Sequence, residues 1–399
     1  MKWEEKRLDK MGYVARGRSK HRPRNDVSLY GGKYPFIQTG DIKAANFRLL
    51  EYFQTYNEKG LAQSKLWPKD TLCITIAANI ADTAILGIPA CFPDSVIGFI
   101  PYENIADVRY IKYIFDIFQQ KCKQISQGAA QDNLSWEKLS TVSFPCPPVS
   151  IQKRIADILS AYDDLIENNR KQIKLLEEAV QRLYKEWFVD LRFPGYEKTK
   201  IVDGVPEGWK LCQLDNVIEF DPKIKLDKDR IKQSVPMSAL STSSMVLNEA
   251  EFGLAQSNAG SKFQNGDTLL ARITPCLENG KTAYVWGIAS DEGAVGSTEY
   301  IVMRSKKLNP YMVYLLARTD DFRQAAINSM SGSDGRQRVK SDKLKKLSYL
   351  LPETEIILSF GRFVQPIFDQ IFIRSKQCTE LSQARDRLLP KLMNGEIAV

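Results

Sequence analysis

The sequence predicts an α+β chain built as an internal repeat. Two mixed α/β domains are separated by two long helices that pair as an antiparallel coiled coil, with a pseudo-two-fold relation between the halves. Three observations carry this expectation. The chain has 399 residues, more than one ordinary hydrophobic core holds. Landmarks of the first half recur in the same order in the second. Each half closes on a stretch whose apolar residues repeat every seven positions.

The landmarks begin with "GLAQS" at residues 60–64, which returns at 253–257, an offset of 193. "KDTL" at 69–72 meets "GDTL" at 266–269 at an offset of 197, and Tyr110 and Tyr113 meet Tyr311 and Tyr314 at 201. Gly128 then meets Gly332 at 204, and residues 134–139 meet 339–344 at 205. A drifting offset with conserved order is what insertions in surface loops leave behind in a duplicated chain.

Taken in order, residues 1–150 read as a first domain, with β-branched runs such as "TLCITIAA" and a helix in "ADVRYIKYIFDIFQQ". "FPCPP" at 144–148 ends it, because proline does not sit inside a helix. Residues 151–192 form the first long helix, free of Gly and Pro up to Phe188. Its seam places Leu159, Ile166, Ile173, Val180 and Trp187 at a positions, with Ile155, Tyr162, Asn169, Leu176 and Leu183 at d. Residues 193–353 hold a Pro/Gly-rich linker, "FPGYEKTKIVDGVPEGW", and the second domain, with a strand in "KTAYVWGIAS" and a helix in "NPYMVYLLARTDDF". Residues 354–399 form the second long helix, with Val364, Ile371, Cys378, Arg385 and Leu392 at a and Phe360, Ile367, Arg374, Leu381 and Leu388 at d. Pro366 should kink that helix or mark its true start. Helices of this length span roughly 50 Å, more than one small domain covers, so they should pack on each other.

Composition narrows the function. With 43% hydrophobic and 26% charged residues, and neither a run of 18 apolar residues nor a secretory leader, the chain reads as cytoplasmic without a membrane partner. Seven cysteines without a Cys-x-x-Cys pair read as reduced thiols, not as a zinc site or disulfide framework. His21 is the only histidine, which works against triads, histidine acid-base chemistry and histidine metal sites. Phosphate-loop, dinucleotide-binding and zinc-protease motifs are not found. Asn309-Pro310-Tyr311 lacks the second proline of an amino-methylating loop and reads better as a helix cap followed by proline at the first helical position. No catalytic residue and no metal site are therefore assigned.

Charge points elsewhere. Residues 1–48 hold 12 Lys/Arg against 5 Asp/Glu, and residues 336–346 carry a local +5. Two basic segments suggest a polyanion touched at two places. In "ARGRSKHRPRN" the cations Arg16, Arg18, Lys20, Arg22 and Arg24 alternate with small spacers, a pattern that can follow a phosphate backbone and set Arg forks on guanine edges. In the second half "SGSDGRQRVK" offers Arg336, Gln337 and Arg338, side chains suited to guanine and adenine. The matching stretch of the first half offers Gln127, Gln131 and Asn133. "ARITPCLENGKT" contributes Arg272, Thr274, Asn279 and Lys281 against Asn79 in "TIAANIADT", with a hairpin on an Asn-Gly turn as an equal reading.

These residues resemble the specificity subunits of type I restriction-modification enzymes. The likeness spans the chain and is sharpest at "PPVSIQKRIADILSAYDDLIENNRKQIKLLEEAVQRLYKEWFVD", at "VPEGW" and at "ARDRLLPKLMNGEI"; "YPFIQTGDI" and "GDTLLARITPCLENGKT" look like parts of target recognition domains. "PETEIILSFGRF" departs from the pattern in lacking the Gln-Lys-Arg-Ile of residues 152–155. The resemblance implies two target recognition domains reading the halves of a bipartite site in double-stranded DNA, with the helices as spacer. It also implies two methyltransferase subunits that bind S-adenosylmethionine, and restriction subunits that use ATP and Mg for cleavage, while this chain binds no cofactor and has no active site. The alternative is a stand-alone DNA-binding or scaffold protein with a coiled-coil spacer and no methyltransferase partner.

Overall fold

The structure, a computed structural model, describes residues 3–45, 47–76, 81–126, 136–290, 292–333 and 336–399, side chains at 120–126 and 136–138 excepted. The chain divides into two compact units, Met1–Glu167 with Thr379–Val399, and Asn168–Cys378. Each unit thus takes its globular part together with a portion of both long helices.

The strands of the first unit are β1 (Glu5–Arg7), β2 (Gly12–Arg16), β3 (Tyr30–Phe36), β4 (Arg48–Leu49), β5 (Gln54–Tyr56) and β6 (Leu66–Trp67). They are followed by β7 (Leu72–Thr75), β8 (Thr83–Leu86), β9 (Ala90–Cys91), β10 (Val96–Pro101) and β11 (Ser143–Pro145). One sheet runs β2-β10-β7-β8-β4, a second β5-β3-β9-β6, and β1 pairs with β11. Strands β7 and β8 are buried along their whole length, as continuous apolar runs covered on both faces should be. The helix Val108–Ser126 lays Tyr110, Ile111 and Phe115 into the same cluster as Leu72, Ile74, Ile97 and Phe99.

The second unit holds β12 (Ile201–Val202), β13 (Val205–Pro206), β14 (Lys210–Gln213), β15 (Ile218–Phe220), β16 (Lys232–Val235) and β17 (Gly253–Ala255). It continues with β18 (Ser261–Phe263), β19 (Thr268–Ala271), β20 (Thr282–Tyr284), β21 (Ala294–Gly296), β22 (Tyr300–Ser305) and β23 (Ser348–Leu351). Its sheets run β15-β22-β19-β20 and β17-β16-β21-β18, with β14 paired to β23. Taken in chain order, this is the threading of the first unit's sheets without β4.

The "GLAQS" echo is not part of that correspondence. Residues 60–64 lie in and just after the helix Glu58–Ala62, capped by the Asn57 side chain, whereas Gly253–Ala255 is an edge strand. Five small or common residues have no conformation of their own, and their surroundings decide it. "KDTL" and "GDTL" do lead into matching strands, β7 and β19, after turns with positive φ at Asp70 and Gly266. The stretch 193–209 also differs from a loose linker. Asp203 and Gly204, at φ 51° and 78°, turn β12 back on β13. Phe193 and Trp209 are buried with ring centroids 4.8 Å apart.

The first long helix is Val149–Phe188 and the second Thr354–Met393. Pro366 lies inside the second, exposed, and neither starts nor ends it; on the water side the carbonyl left without its N–H partner can be hydrated. In the second unit the pairing is antiparallel, since Asn169 meets Gln377, Gln172 meets Arg374, and Trp187 packs on Phe360 at 5.4 Å. In the first unit Ile155, Ala156 and Leu159 share a cluster with Leu389, Leu392 and Met393. The expected a row is buried at Leu159, Ile166, Ile173, Val180, Trp187, Val364, Ile371, Cys378 and Leu392. Of the d row, Ile155 and Phe360 are buried, but Tyr162, Asn169, Leu176, Leu183, Ile367, Leu381 and Leu388 are only half-buried. The inner row next to a is instead Ala156, Asp163, Glu177 and Tyr184, so the seam is turned toward e. Two acids in that row hide it from a search for apolar residues.

Those acids are paired. Asp163, 2% exposed, accepts from the Tyr113 hydroxyl at 2.5 Å and from Arg385. Burial and then the Asp163 charge push the Tyr113 hydroxyl far above its ordinary pKa. Glu177 accepts from Ser244 Oγ and Met245 N, both at 2.8 Å, while burial raises its pKa. The second helix also contains a window long and apolar enough to cross a membrane by length and composition. Its row Ile357, Phe360, Val364, Phe368 and Ile371 is packed in the second unit's core.

Candidate nucleic-acid interface

In the first unit the basic segment leaves β2 and stays extended against the sheet. Gly17 N donates to Val96 O at 2.8 Å and Arg18 N to Phe92 O at 3.1 Å. The approach is so close that a Cβ at Gly17 would stand 2.3 Å from the Phe92 oxygen. Gly17 and Ser19 therefore turn inward while Arg16, Arg18, Lys20, Arg22 and Arg24 stay exposed. The five cations do not behave alike. Arg22 Nη1 folds onto the Ser19 and His21 carbonyls at 2.6 and 2.8 Å. Arg24 Nη2 bonds both oxygens of Asp94, at 2.6 and 2.9 Å. Arg18 and Lys20 make no side-chain hydrogen bond or ion pair among the described residues, which leaves them available to an external anion. His21 meets Asp26 at 2.8 Å; the Ser28 amide, ahead of His21, holds the Asp26 carboxyl below its usual range.

Beyond Arg24 the surface opens into a groove of about 590 Å³, lined among others by Asn25, Val27, Tyr30, Phe36, Gln38, Phe53 and Gln54. Gln38 Nε2 donates to Gln54 Oε1 at 2.6 Å. Under it Phe36 stacks on Tyr56 with centroids 4.1 Å apart. Burial lifts the Tyr30 hydroxyl to about 12. Phe53 and Val27 are 89% and 87% exposed at this groove. Asn25, Phe36 and Gln38 lie within the quoted "ARGRSKHRPRN" and "YPFIQTGDI", but Val27, Tyr30, Phe53 and Gln54 were not singled out from the sequence; an aromatic next to a glutamine in "EYFQTY" is a signal only once the fold is known. Asn79, Gln127, Gln131 and Asn133 lie outside the described residues.

In the second unit two segments singled out separately come together. Ile273 and Ser331 each bridge Arg338, Thr274 N donates to Gln337 O at 3.1 Å, and Val339 N to Arg272 O at 2.9 Å. The Arg338 guanidinium grips Glu299 through Nε and Nη2, the latter at 2.7 Å. That contact holds the Glu299 carboxyl below its usual range. Arg272 Nε is buried with no hydrogen-bond partner among the described residues, close enough for its charge to act on Glu299. Arg336 is exposed and Gln337 half-buried, with no side-chain hydrogen bond among the described residues. Thr274 Oγ1 leans on the Gln337 carbonyl at 3.4 Å. Asn279 is exposed beside Gly280, whose φ of 75° makes the turn. Lys281 points away, its Nζ on Met237 O at 2.8 Å, which favours the hairpin reading for that residue. The Asn309 side chain accepts from Met312 N at 2.9 Å and donates to Ile357 O at 3.0 Å. It is thus committed to capping the helix Pro310–Ala317.

An exposed run of cations beside a groove rich in amides and aromatics is the chemistry of a nucleic-acid surface. Comparison with known proteins agrees. Residues 1–178 match the family described as Type I restriction modification DNA specificity domain. Along its full length the chain is 27% identical to the Type I restriction enzyme MjaIX specificity subunit of Methanocaldococcus jannaschii, covering 94% of that protein. It is 34% identical to the Type I restriction enzyme EcoAI specificity subunit of Escherichia coli, over 34% of this chain and 24% of that one. In fold it is similar to the crystal structure of the type I restriction-modification system S subunit from M. genitalium, with a TM-score of 0.59 at 14% identity over 98% of this chain and 96% of that one. Over its whole length the chain is thus similar to type I restriction-modification specificity subunits, and the match to their DNA specificity domain takes in residues 1–178, under half of the chain.

Proposed function

We propose that the chain reads a bipartite target in double-stranded DNA, one half-site with each unit, and brings two methyltransferase subunits to it. The observation that supports this best is a shared strand order carrying different side chains: Gln38, Phe53 and Gln54 in the first unit, Arg272, Arg336 and Gln337 in the second. One framework with two sets of readers fits two different half-sites. Helices of 40 residues each rise about 60 Å, a length suited to holding a spacing between half-sites. S-adenosylmethionine then belongs to the methyltransferase subunits, and ATP and Mg to restriction subunits that join for cleavage, in the cytoplasm.

The test is to produce the chain with its methyltransferase subunits and sequence the methylated adenines. Two short half-sites at one fixed separation support the reading. Methylation at a single contiguous site, or methyl transfer by this chain alone, overturns it. A scaffold without DNA affinity would show no salt-sensitive duplex binding, whereas a phosphate-contacting subunit loses affinity steeply as salt rises.

A further inference from the structure

We infer that each unit carries a matching phosphate clamp, Arg18 and Lys20 in the first and Lys223 and Lys225 in the second, which grips successive phosphates of one DNA strand beside its own half-site. This rests on the proposed reading of two half-sites and names how each unit holds its own.

The two segments occupy corresponding places in the shared threading. One leaves β2, which pairs with β10, and leads to β3; the other leaves β15, which pairs with β22, and leads to β16. In both, outward cations alternate with residues turned inward. Gly17 and Ser19 are buried on either side of exposed Arg18, and exposed Lys20 follows. Pro222 and Leu226 are buried and Ile224 is half-buried, with Lys223 and Lys225 exposed between them. Side chains two residues apart on an extended segment stand about 6.6 Å apart, close to the step between neighbouring phosphates along one strand.

Both segments are held by their backbone. Ser64 Oγ donates to Arg18 O at 2.8 Å, and His21 N to Gln63 Oε1 at 3.0 Å. In the second unit Asn258 Nδ2 donates to Leu226 O at 2.9 Å, and Asp221 N to Val302 O at 2.7 Å. Gln63 and Ser64 end the first "GLAQS" and Asn258 directly follows the second, so the two copies, unlike in conformation, each steady a cationic segment. A segment already ordered loses less entropy when it closes on an anion.

The charges of the second segment look self-cancelling in the sequence, with three carboxylates among the five cations of residues 221–232. The contacts sort them differently. Asp221 Oδ1 accepts from Val302 N at 3.1 Å. Arg230 pairs with Asp227 at 3.5 Å and with Glu292 at 3.0 Å. Lys232 is buried with its Nζ on Gln256 O at 3.1 Å. Lys223 and Lys225 make no side-chain hydrogen bond or ion pair among the described residues, as Arg18 and Lys20 make none. In each unit the cations nearest the edge strand are thus unengaged, while later ones, Arg22 and Arg24 or Arg230 and Lys232, bond inward. An ammonium is a compact point charge that suits a phosphate oxygen, and phosphate contacts position a protein on the duplex without reading a base.

The experiment uses the full chain assembled with its methyltransferase subunits on the duplex identified by methylation sequencing. Binding is titrated across salt concentrations, then repeated with a neutral methylphosphonate at each phosphate in turn. Lys223→Ala combined with Lys225→Ala should lower the slope of log affinity against log salt by about 1.8, and so should Arg18→Ala combined with Lys20→Ala, at roughly 0.9 for each phosphate released. Arg230→Ala removes a cation that is already paired and should leave the slope unchanged. Methylphosphonates should weaken the wild-type complex at two neighbouring phosphates of one strand in each half-site. Each double variant should lose that sensitivity in one half-site only, with base preference unchanged in both. All four side chains are exposed, and circular dichroism checks that the variants fold. Double variants with the wild-type slope, or sensitive phosphates that are not neighbours on one strand, overturn the clamps while two methylated half-sites preserve the reading. A wild-type complex without a bipartite site overturns that reading, and variants that still lower its slope retain the phosphate contacts alone.

Discussion

Arg385→Leu removes the cation that neutralises Asp163 inside the first unit. Asp163 is 2% exposed and, among the described residues, would keep only the Tyr113 hydroxyl, at 2.5 Å. Asp116 stands in the same neighbourhood, its carboxyl raised by burial and held by Lys112 at 2.5 Å, so a second negative charge adds to the penalty. Breaking a buried pair from one side costs about 3–5 kcal/mol; with one hydroxyl donor retained, about 3 kcal/mol is expected. For a unit of this size that lowers the melting temperature by roughly 6–12 °C. The assay is thermal unfolding of the full chain, with amide exchange along residues 108–119 to assign the loss to this unit. Removing both charges with Asp163→Leu and Arg385→Leu should recover most of it, because an apolar pair of similar volume is often as stable as a buried ion pair. A single variant that melts within about 2 °C of wild type, or a double variant as unstable as the sum of the two singles, would refute the pairing argument.

Three further outcomes follow from contacts described above. Glu177→Ala leaves the Met245 amide without its acceptor; a loss of about 1–3 kcal/mol and faster exchange of that amide are expected, read by mass spectrometry. Pro366→Ala, at an exposed position inside a continuous helix, should stabilise the chain by about 1–3 kcal/mol in urea titration. The Glu299 carboxyl is held low by Arg338, so the stabilisation from this pair is complete above the usual carboxylate value of 4.5 and is lost as pH falls through the lower folded-state value. Arg338→Ala should return the Glu299 midpoint to the ordinary range in a carboxyl NMR titration.

The long helices were legible in the sequence because a heptad repeat is a local pattern, and so were the buried strands and the cap at Asn309. The phase of the seam was not, because Asp163 and Glu177 are recognisable as interior residues only once Tyr113, Arg385 and Ser244 are seen to meet them. "GLAQS" misled for a related reason: strand or helix was decided by neighbours distant in sequence. The basic segments were visible from composition, but composition did not separate Arg22 and Arg24, which bond within the unit, from Arg18 and Lys20. The groove at Phe53 brings together residues from 19 to 95, and no window of the sequence contains it.

The paired segments of the second unit are fixed to each other mainly through peptide groups: Ile273 to Arg338, Thr274 to Gln337, Val339 to Arg272. Peptide groups are the same whatever side chain they carry. Positions 336 and 337 can therefore change their chemistry without disturbing the frame that presents them; under the proposed reading, a point substitution there would alter the letters read while the architecture stays still.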